Sequence, residues 1–400
     1  MPHAYCLPYS LSSLSTLGGL VLLTTLFGGC AQRPDADHEP DYLVYVGTNV
    51  ASATEPSIFL YRLTPATGAL TRVSAEQGGI SPTYLTISTD RRQLFAVSET
   101  ATFQGANSGG VSAFAVAPRT GALTLLNQQP SGGGGPCYIS LDRSGRAALV
   151  ANYGGGNVSV LPLLASGQLA APSLTDQHQD ATGPHKNQDH AHAHCFLTDP
   201  ANAYAFAVDL GTDRVYAYRH DAAQNRFTQL PEPAFQARPG AGPRHLTFHP
   251  NGRWAFLINE LNSTITALAY DAAAGRFREL QTVSALPAGY SGPNSCADIH
   301  VSPNGRFLYA SNRGHNSIAV FAIEAAAGTL TPVQDVDTQG QTPRNFTLTP
   351  SGRLLLVANQ NSGSLVSFFI EPTTGRLTST RQTATVPSPM VVQVVEDFTR

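Results

Sequence analysis

Pro243-Arg-His-Leu-Thr-Phe-His-Pro-Asn-Gly-Arg-Trp-Ala-Phe-Leu-Ile-Asn-Glu260 carries the reading of the whole chain. A short run led by proline meets the turn signal Pro250-Asn-Gly-Arg253, and a second apolar run follows at Trp254-Ala-Phe-Leu. Proline suits the first position of a strand, and Asn-Gly supplies the backbone freedom of a tight turn. The unit therefore reads as two antiparallel strands joined by a turn.

The unit recurs along the chain. Runs equivalent to Pro243-Arg-His-Leu-Thr-Phe begin at Pro82, Pro136, Ala193, Cys296, Pro343 and Pro389, at spacings of 46 to 57 residues. A turn follows seven residues after each of the first six starts, as Pro303-Asn-Gly-Arg and Pro350-Ser-Gly-Arg show. The second run recurs at Leu94, Ala147, Ala203, Phe307 and Leu354; its seventh copy is absent from the C-terminal end and stands instead at the start, as Leu43-Val-Tyr-Val-Gly-Thr. A third pattern, beginning at Ile58, Val111, Val158, Val215, Ile265, Ile318 and Leu365, ends in Thr-Gly-type turns such as Thr67-Gly68 and Thr120-Gly121. Period-two alternation with β-branched and aromatic residues marks half-buried strands. Seven units of about 50 residues with roughly four strands each predict an all-β, seven-bladed β-propeller. The displaced copy predicts that the last inner strand, residues 390–395, completes a blade with the N-terminal strands and so closes the ring without an open edge. One propeller domain is expected over residues 42–396.

Composition agrees with many short strands. The chain has 400 residues, of which 42% are hydrophobic and 13% charged, with 36 Gly and 28 Pro. So low a charge with so many apolar residues excludes a disordered chain, and frequent Gly and Pro disfavour a helical bundle. A net charge of −3 provides no basic field for nucleic acid.

Because the repeats are in register, equivalent positions can be compared. Counting the first residue of each inner strand as zero, position +1 reads Thr83, Cys137, His194, Arg244, Ala297, Arg344 and Met390, and position +2 reads Tyr84, Tyr138, Cys195, His245, Asp298, Asn345 and Val391. Position +17, at the end of the second strand, reads Glu99, Tyr153, Leu210, Glu260, Arg313 and Gln360. Inner strands line the channel, and antiparallel pairing puts the start of the first strand beside the end of the second. All three rows are thus expected at one rim of the channel. His194, Arg244, His245, Glu260, Asp298, His300 and Arg313 cluster on three blades, a convergent polar set suited to an anionic ligand and a proton acceptor. The bland alternative is a set of polar residues that merely solvate a wet pore.

The segment 176–194 holds five histidines, among them His178, His185, His190, His192 and His194. Their spacing matches no established metal motif, so a polar loop over the channel, with His194 and His192 entering the site, is expected and no metal or other cofactor. No Gly-x-Ser-x-Gly elbow, Walker loop or dinucleotide fingerprint occurs. Cys137, Cys195 and Cys296 are too far apart for a disulfide framework or a zinc site and are expected to be buried thiols.

Residues 11–27 form an apolar run too short for a membrane span, which needs about 20 residues, and fit the core of a signal peptide. Leu26-Phe27-Gly28-Gly29-Cys30 resembles the lipobox of bacterial lipoproteins, although residues 1–10 carry no Lys or Arg. The resemblance implies cleavage before Cys30, its lipidation, a polar tether over residues 31–41, and a cell-envelope lipoprotein whose only membrane contact is the lipid. Without a working leader the chain would be cytoplasmic.

Gly240-Ala-Gly-Pro-Arg-His-Leu-Thr-Phe-His-Pro-Asn-Gly-Arg253, Asn259-Glu-Leu-Asn-Ser-Thr, His192-Ala-His, Asp209-Leu-Gly-Thr-Asp-Arg, Ala297-Asp-Ile-His and Pro343-Arg-Asn-Phe resemble the seven-bladed propeller lactonase family over about residues 42 to 395. That family includes the propeller-type 6-phosphogluconolactonases and the fungal carboxymuconate lactonizing enzymes. The resemblance implies a metal-free lactonase acting on a small-molecule, anionic sugar lactone, with catalytic His194, Arg244, Glu260 and Arg313. His192 rivals His194, and Arg344 rivals Arg313. His192, His245, Asp298, His300, Arg344, Asn345, Glu99 and Tyr153 are expected to bind substrate. A muconate-type cycloisomerase and a non-catalytic envelope-binding propeller are the alternatives.

Overall fold

The computed structural model describes residues 39–399, and among these every regular element is a β-strand. The leader, the lipidation site at Cys30 and most of the tether lie outside the described residues. The strands form seven antiparallel sheets, six of them built from consecutive chain. In the sheet that contains the stretch quoted first, Pro243–Phe248 pairs with Trp254–Asn259, then Thr264–Asp271, then Arg276–Ser284. The sheet that starts at Ala193–Thr198 adds a short fifth strand, Phe235–Gln236.

The seventh sheet joins the two ends of the propeller. Pro389–Glu396 pairs with Tyr42–Thr48, which continues outward through Ile58–Thr64 to Ala69–Glu76. Val392 lies opposite Val46 and Val394 opposite Val44. Each of the seven inner strands touches the inner strands on both sides of it, so the sheets close into a ring. This is the closure that the displaced repeat predicts.

The second strands depart from the expected half-burial. Trp254–Asn259 is buried at every residue, as are Ala147–Asn152 and Leu354–Asn359. Successive side chains point to opposite faces of a strand, and each blade lies between two others. Trp254, Phe256 and Ile258 pack forward against Ile299, Leu308 and Phe321 of the next blade. Ala255 and Leu257 pack backward against Phe206 and Val208 of the preceding blade. A sheet covered on both faces needs an unbroken apolar run rather than alternation. Phe256→Ala should therefore cost about 3–5 kcal/mol of stability, read as a lowered midpoint in guanidinium denaturation; an unchanged midpoint would show that the interblade layer is not what holds the ring.

The Thr-Gly-type turns belong to the same layer. Gly328 has φ +72°, and a Cβ there would lie 2.6 Å from the Trp254 ring of the preceding blade. Gly375, at the same φ, abuts Phe307 in the same way. The recurring glycine thus meets two demands at once, a left-handed turn and a close approach to an aromatic ring.

Candidate functional site

Six of the seven inner strands carry a β-bulge near their first residues. In the fourth blade Pro243 faces Asn259 and His245 faces Ile258, which leaves Arg244 as the extra residue. His194 and Arg344 are the extra residues of their own strands. In a regular strand positions +1 and +2 would point to opposite faces. The bulge re-aims the first of them, and both rows then reach the channel: Arg244 Nη1 lies 3.2 Å from His245 Nε2.

At one mouth of the channel, Glu260 follows the strand end opposite Pro243, and Arg313 pairs with Ser295. One carboxylate oxygen of Glu260, Oε2, lies 3.0 Å from Arg244 Nε and 2.9 Å from Arg313 Nη2. Burial pushes the Glu260 carboxyl up, but Arg313, Arg244 and Arg344 outweigh it and hold it below the usual range. Arg244 is 2% exposed, and burial with Arg313 and Arg344 nearby lowers it to about 10, still cationic at neutral pH. Its Nη1 also donates to the Ala297 carbonyl, and Arg313 Nη2 donates to the Cys296 carbonyl at 3.0 Å.

His194 is buried beside this cluster, its ring 5.2 Å from that of His245. Burial, Arg244, His245 and Arg344 push its pKa well below the ordinary value, so the imidazole is neutral. Its Nδ1 is buried with no hydrogen-bond partner. Arg344 is half-buried and makes no hydrogen bond or ion pair with a described residue, yet its charge acts on Glu260, Arg244 and His194. The mouth thus holds a neutral imidazole, an arginine-clamped carboxylate and a guanidinium with no acceptor among the described residues.

The +2 row forms a separate layer deeper in the channel. Asp298, 1% exposed, accepts from His245 Nδ1 at 2.8 Å, His300 Nε2 at 2.9 Å, the Ile299 amide at 3.0 Å and the Asn345 side-chain amide. Asn345 in turn accepts from the Val392 amide at 2.8 Å. Burial raises Asp298, but His300 and His245 more than offset it and hold the carboxyl far below its usual range. Burial and Arg244 lower His245 to about 4 against the pull of Asp298. His245 therefore donates from Nδ1 and accepts from Arg244 at Nε2. This layer ties four successive blades together.

Two expectations change here. Asn345 does not present a free amide, because both ends of its side chain serve Asp298 and Val392. His300 does not share the rim with Glu260. It pairs with Tyr309, five positions along the inner strand from Ser295, which faces Arg313. Because the bulge takes up one residue, this is four positions on the partner strand, about 13 Å at about 3.3 Å per residue. His300, His245, Asp298, Tyr84 and Tyr138 line a cavity of about 470 Å³ that includes neither Glu260, Arg313 nor His194. The sequence rows contained both tyrosines, but their residue type gave no reason to single them out.

His192 faces away from the channel cluster. Its ring stacks on Tyr153 at 4.3 Å, its Nδ1 lies 3.1 Å from the Tyr153 carbonyl, and its Nε2 lies 2.9 Å from Asp189. Tyr153 stands between the two histidines, 5.6 Å edge-on from His194. Glu99 is half-buried at its strand end, with Oε2 buried and unpartnered. His178 is locked against Asp209 at 2.6 Å, behind the site. Cys137, Cys195 and Cys296 are free and buried.

The family model described as "Lactonase, 7-bladed beta-propeller" matches residues 43–394. The 6-phosphogluconolactonase of Bacillus subtilis is 36% identical over 307 residues, which are 76% of this chain and 84% of the relative. The 6-phosphogluconolactonase of Formosa agariphila is 34% identical over 312 residues, 76% of this chain and 86% of the relative. Among solved structures, the periplasmic gluconolactonase of Pseudomonas aeruginosa superposes with a TM-score of 0.83 at 35% identity, covering 89% of this chain and 99% of that one. Matched from its first inner repeats to its closing strand, the chain belongs to the seven-bladed β-propeller lactonase family.

Proposed function

We propose that this chain is a lactonase, a carboxylic ester hydrolase, that opens a sugar lactone of the δ-gluconolactone class at the mouth of the propeller channel. The named relatives support the lactone as substrate class. The arrangement that carries the reading is Glu260 Oε2 held between Arg244 and Arg313 beside neutral His194. Water attacks the lactone carbonyl, and His194 Nδ1 takes its proton as general base. Arg244 stabilises the oxyanion that forms. As the ring oxygen leaves, it recovers the proton from His194, and the open hydroxy acid is released. Glu260 orients the two guanidiniums that flank it. Arg344, with no acceptor among the described residues, takes the phosphate when the lactone carries one.

We further propose that residues 1–30 export the chain as a lipoprotein anchored through Cys30. The likeness to a periplasmic gluconolactonase supports an extracytoplasmic setting. There a plain sugar lactone, rather than a phosphorylated one, would be the natural substrate.

The test is lactone hydrolysis by the purified chain, followed by pH change across plain and 6-phosphorylated δ-gluconolactone. Arg344→Ala should raise KM for the phosphorylated lactone about 10–100-fold, the worth of a charged hydrogen bond, with little change for the plain one. No turnover of any lactone by the well-folded chain would refute the reading and favour a binding propeller.

A further inference from the structure

The histidine-rich segment before the third blade holds a cluster that the lactonase reading does not use. Asp189, His190 and His192 each direct a ligand atom to one place, and these atoms lie within 4.8 Å of one another. Asp189 Oδ1 is 2.9 Å from His192 Nε2, and Asp189 Oδ2 is 3.2 Å from His190 Nδ1.

The second observation comes from outside the cluster. The other nitrogen of each ring faces a backbone carbonyl at the end of the second blade's second strand. His192 Nδ1 is 3.1 Å from the Tyr153 carbonyl, and His190 Nε2 is 3.4 Å from the Gly154 carbonyl. A carbonyl and a carboxylate both only accept, whereas a neutral imidazole carries one proton. Whichever nitrogen holds it, the other nitrogen of each ring turns a lone pair toward an acceptor. With each proton on the carbonyl side, both free lone pairs lie on the Asp189 side, where a cation between them removes the conflict.

We propose that Asp189, His190 and His192 form a three-ligand site for a divalent transition-metal ion of the Zn²⁺ class, with its remaining position open to water. Two imidazoles and one carboxylate make a donor set that zinc accepts, and carbonyl oxygens on the far ring nitrogens are the outer partners that fix metal-binding histidines. A tetrahedral ion with bonds of about 2.0–2.1 Å holds its ligands roughly 3.3 Å apart; the histidines lie 2.9 and 3.2 Å from different oxygens of Asp189, and the three ligand atoms lie within 4.8 Å of one another, so the site must close a little on the ion. Asp189 and His190 are exposed and free to close on the ion, whereas His192 is buried and fixes its position. The Asp-His-x-His spacing alone matches no metal motif; the fold adds the two carbonyls that can take the ring protons. Through the His192 to Tyr153 stack the ion would sit one ring away from His194.

The test uses the untagged chain, titrated with Co²⁺ and followed by its visible d–d absorption, then displaced with Zn²⁺. One equivalent is expected to bind. Asp189→Asn and His190→Ala should each weaken binding by more than the 10–100-fold typical of losing an outer partner. His185→Ala, in the same segment but outside the cluster, should bind as the parent does. Failure to bind one equivalent, binding undiminished in Asp189→Asn and His190→Ala, or equal loss in His185→Ala would each overturn the site. None of these readouts depends on lactone turnover, so the metal site and the lactonase reading stand or fall separately.

Discussion

Arg244→Ala is expected to lower kcat/KM for lactone hydrolysis by about 10²- to 10³-fold, the usual cost of removing one oxyanion donor. Arg244 touches Glu260, His245 and the Ala297 carbonyl at once, so it is both the proposed oxyanion donor and one of the charges that set the electrostatics of the site. Its charge is one of the influences that hold His194 below its ordinary pKa, after burial. Without it the His194 pKa must rise. A base works only when deprotonated, so the acid limb of the residual kcat/KM profile should move to higher pH in Arg244→Ala. Glu260→Gln keeps the shape of the carboxylate but removes the charge that orders Arg244 and Arg313, and it should also lose most activity. The measurement is a pH–rate profile on all three proteins, with circular dichroism to establish that the propeller persists. Activity within threefold of the parent in both folded variants would remove the chemistry from this mouth.

Asp298→Ala should produce the largest loss of stability from a single polar residue, about 3–5 kcal/mol, because it removes one partner of a buried charge network. The donors of His245, Asn345 and the Ile299 amide would remain buried without their acceptor. The effect should depend on pH in a definite way. The folded pKa of Asp298 is depressed, so its contribution is present above the unfolded value of about 3.9 and is lost as pH falls through the folded one. His300 is raised, since Asp298 outweighs the lowering effect of burial. Its share is complete below the unfolded value of about 6.5 and is lost as pH rises through the folded one. The gap between parent and variant should thus be widest between about pH 4 and 6.5. Guanidinium denaturation at pH 3, 5.5 and 9 reads it, and a gap that is flat across all three would show that the charges of Asp298 and His300 do not contribute to it.

The two variants separate the layers of the channel. Arg244 belongs to the mouth and should affect turnover foremost. Asp298 belongs to the layer beneath and should affect stability foremost, with turnover following through His245 and its contact to Arg244.

Much of this architecture is legible in the sequence, for a physical reason. Each blade must bury both faces of its second strand, and each turn must reverse the chain in a few residues. Apolar runs such as Trp254-Ala-Phe-Leu and turns such as Pro250-Asn-Gly-Arg253 therefore recur at every blade. The missing seventh second strand and its reappearance at Leu43 dictate how the ring closes, because sheet edges need partners. Equivalent positions in the repeats also select the polar rows that line the channel.

Only the tertiary structure decides how those rows divide. A bulge is an extra residue relative to a partner strand, so it is defined by pairing and has no signature in one strand alone. It is the bulges that bring Arg244 and His245 to the same side, and strand length that carries His300 toward the other end. The choice between His192 and His194 likewise depends on which ring meets His245 and which stacks on Tyr153. Those contacts join residues from different blades, and spacing along one chain does not encode them.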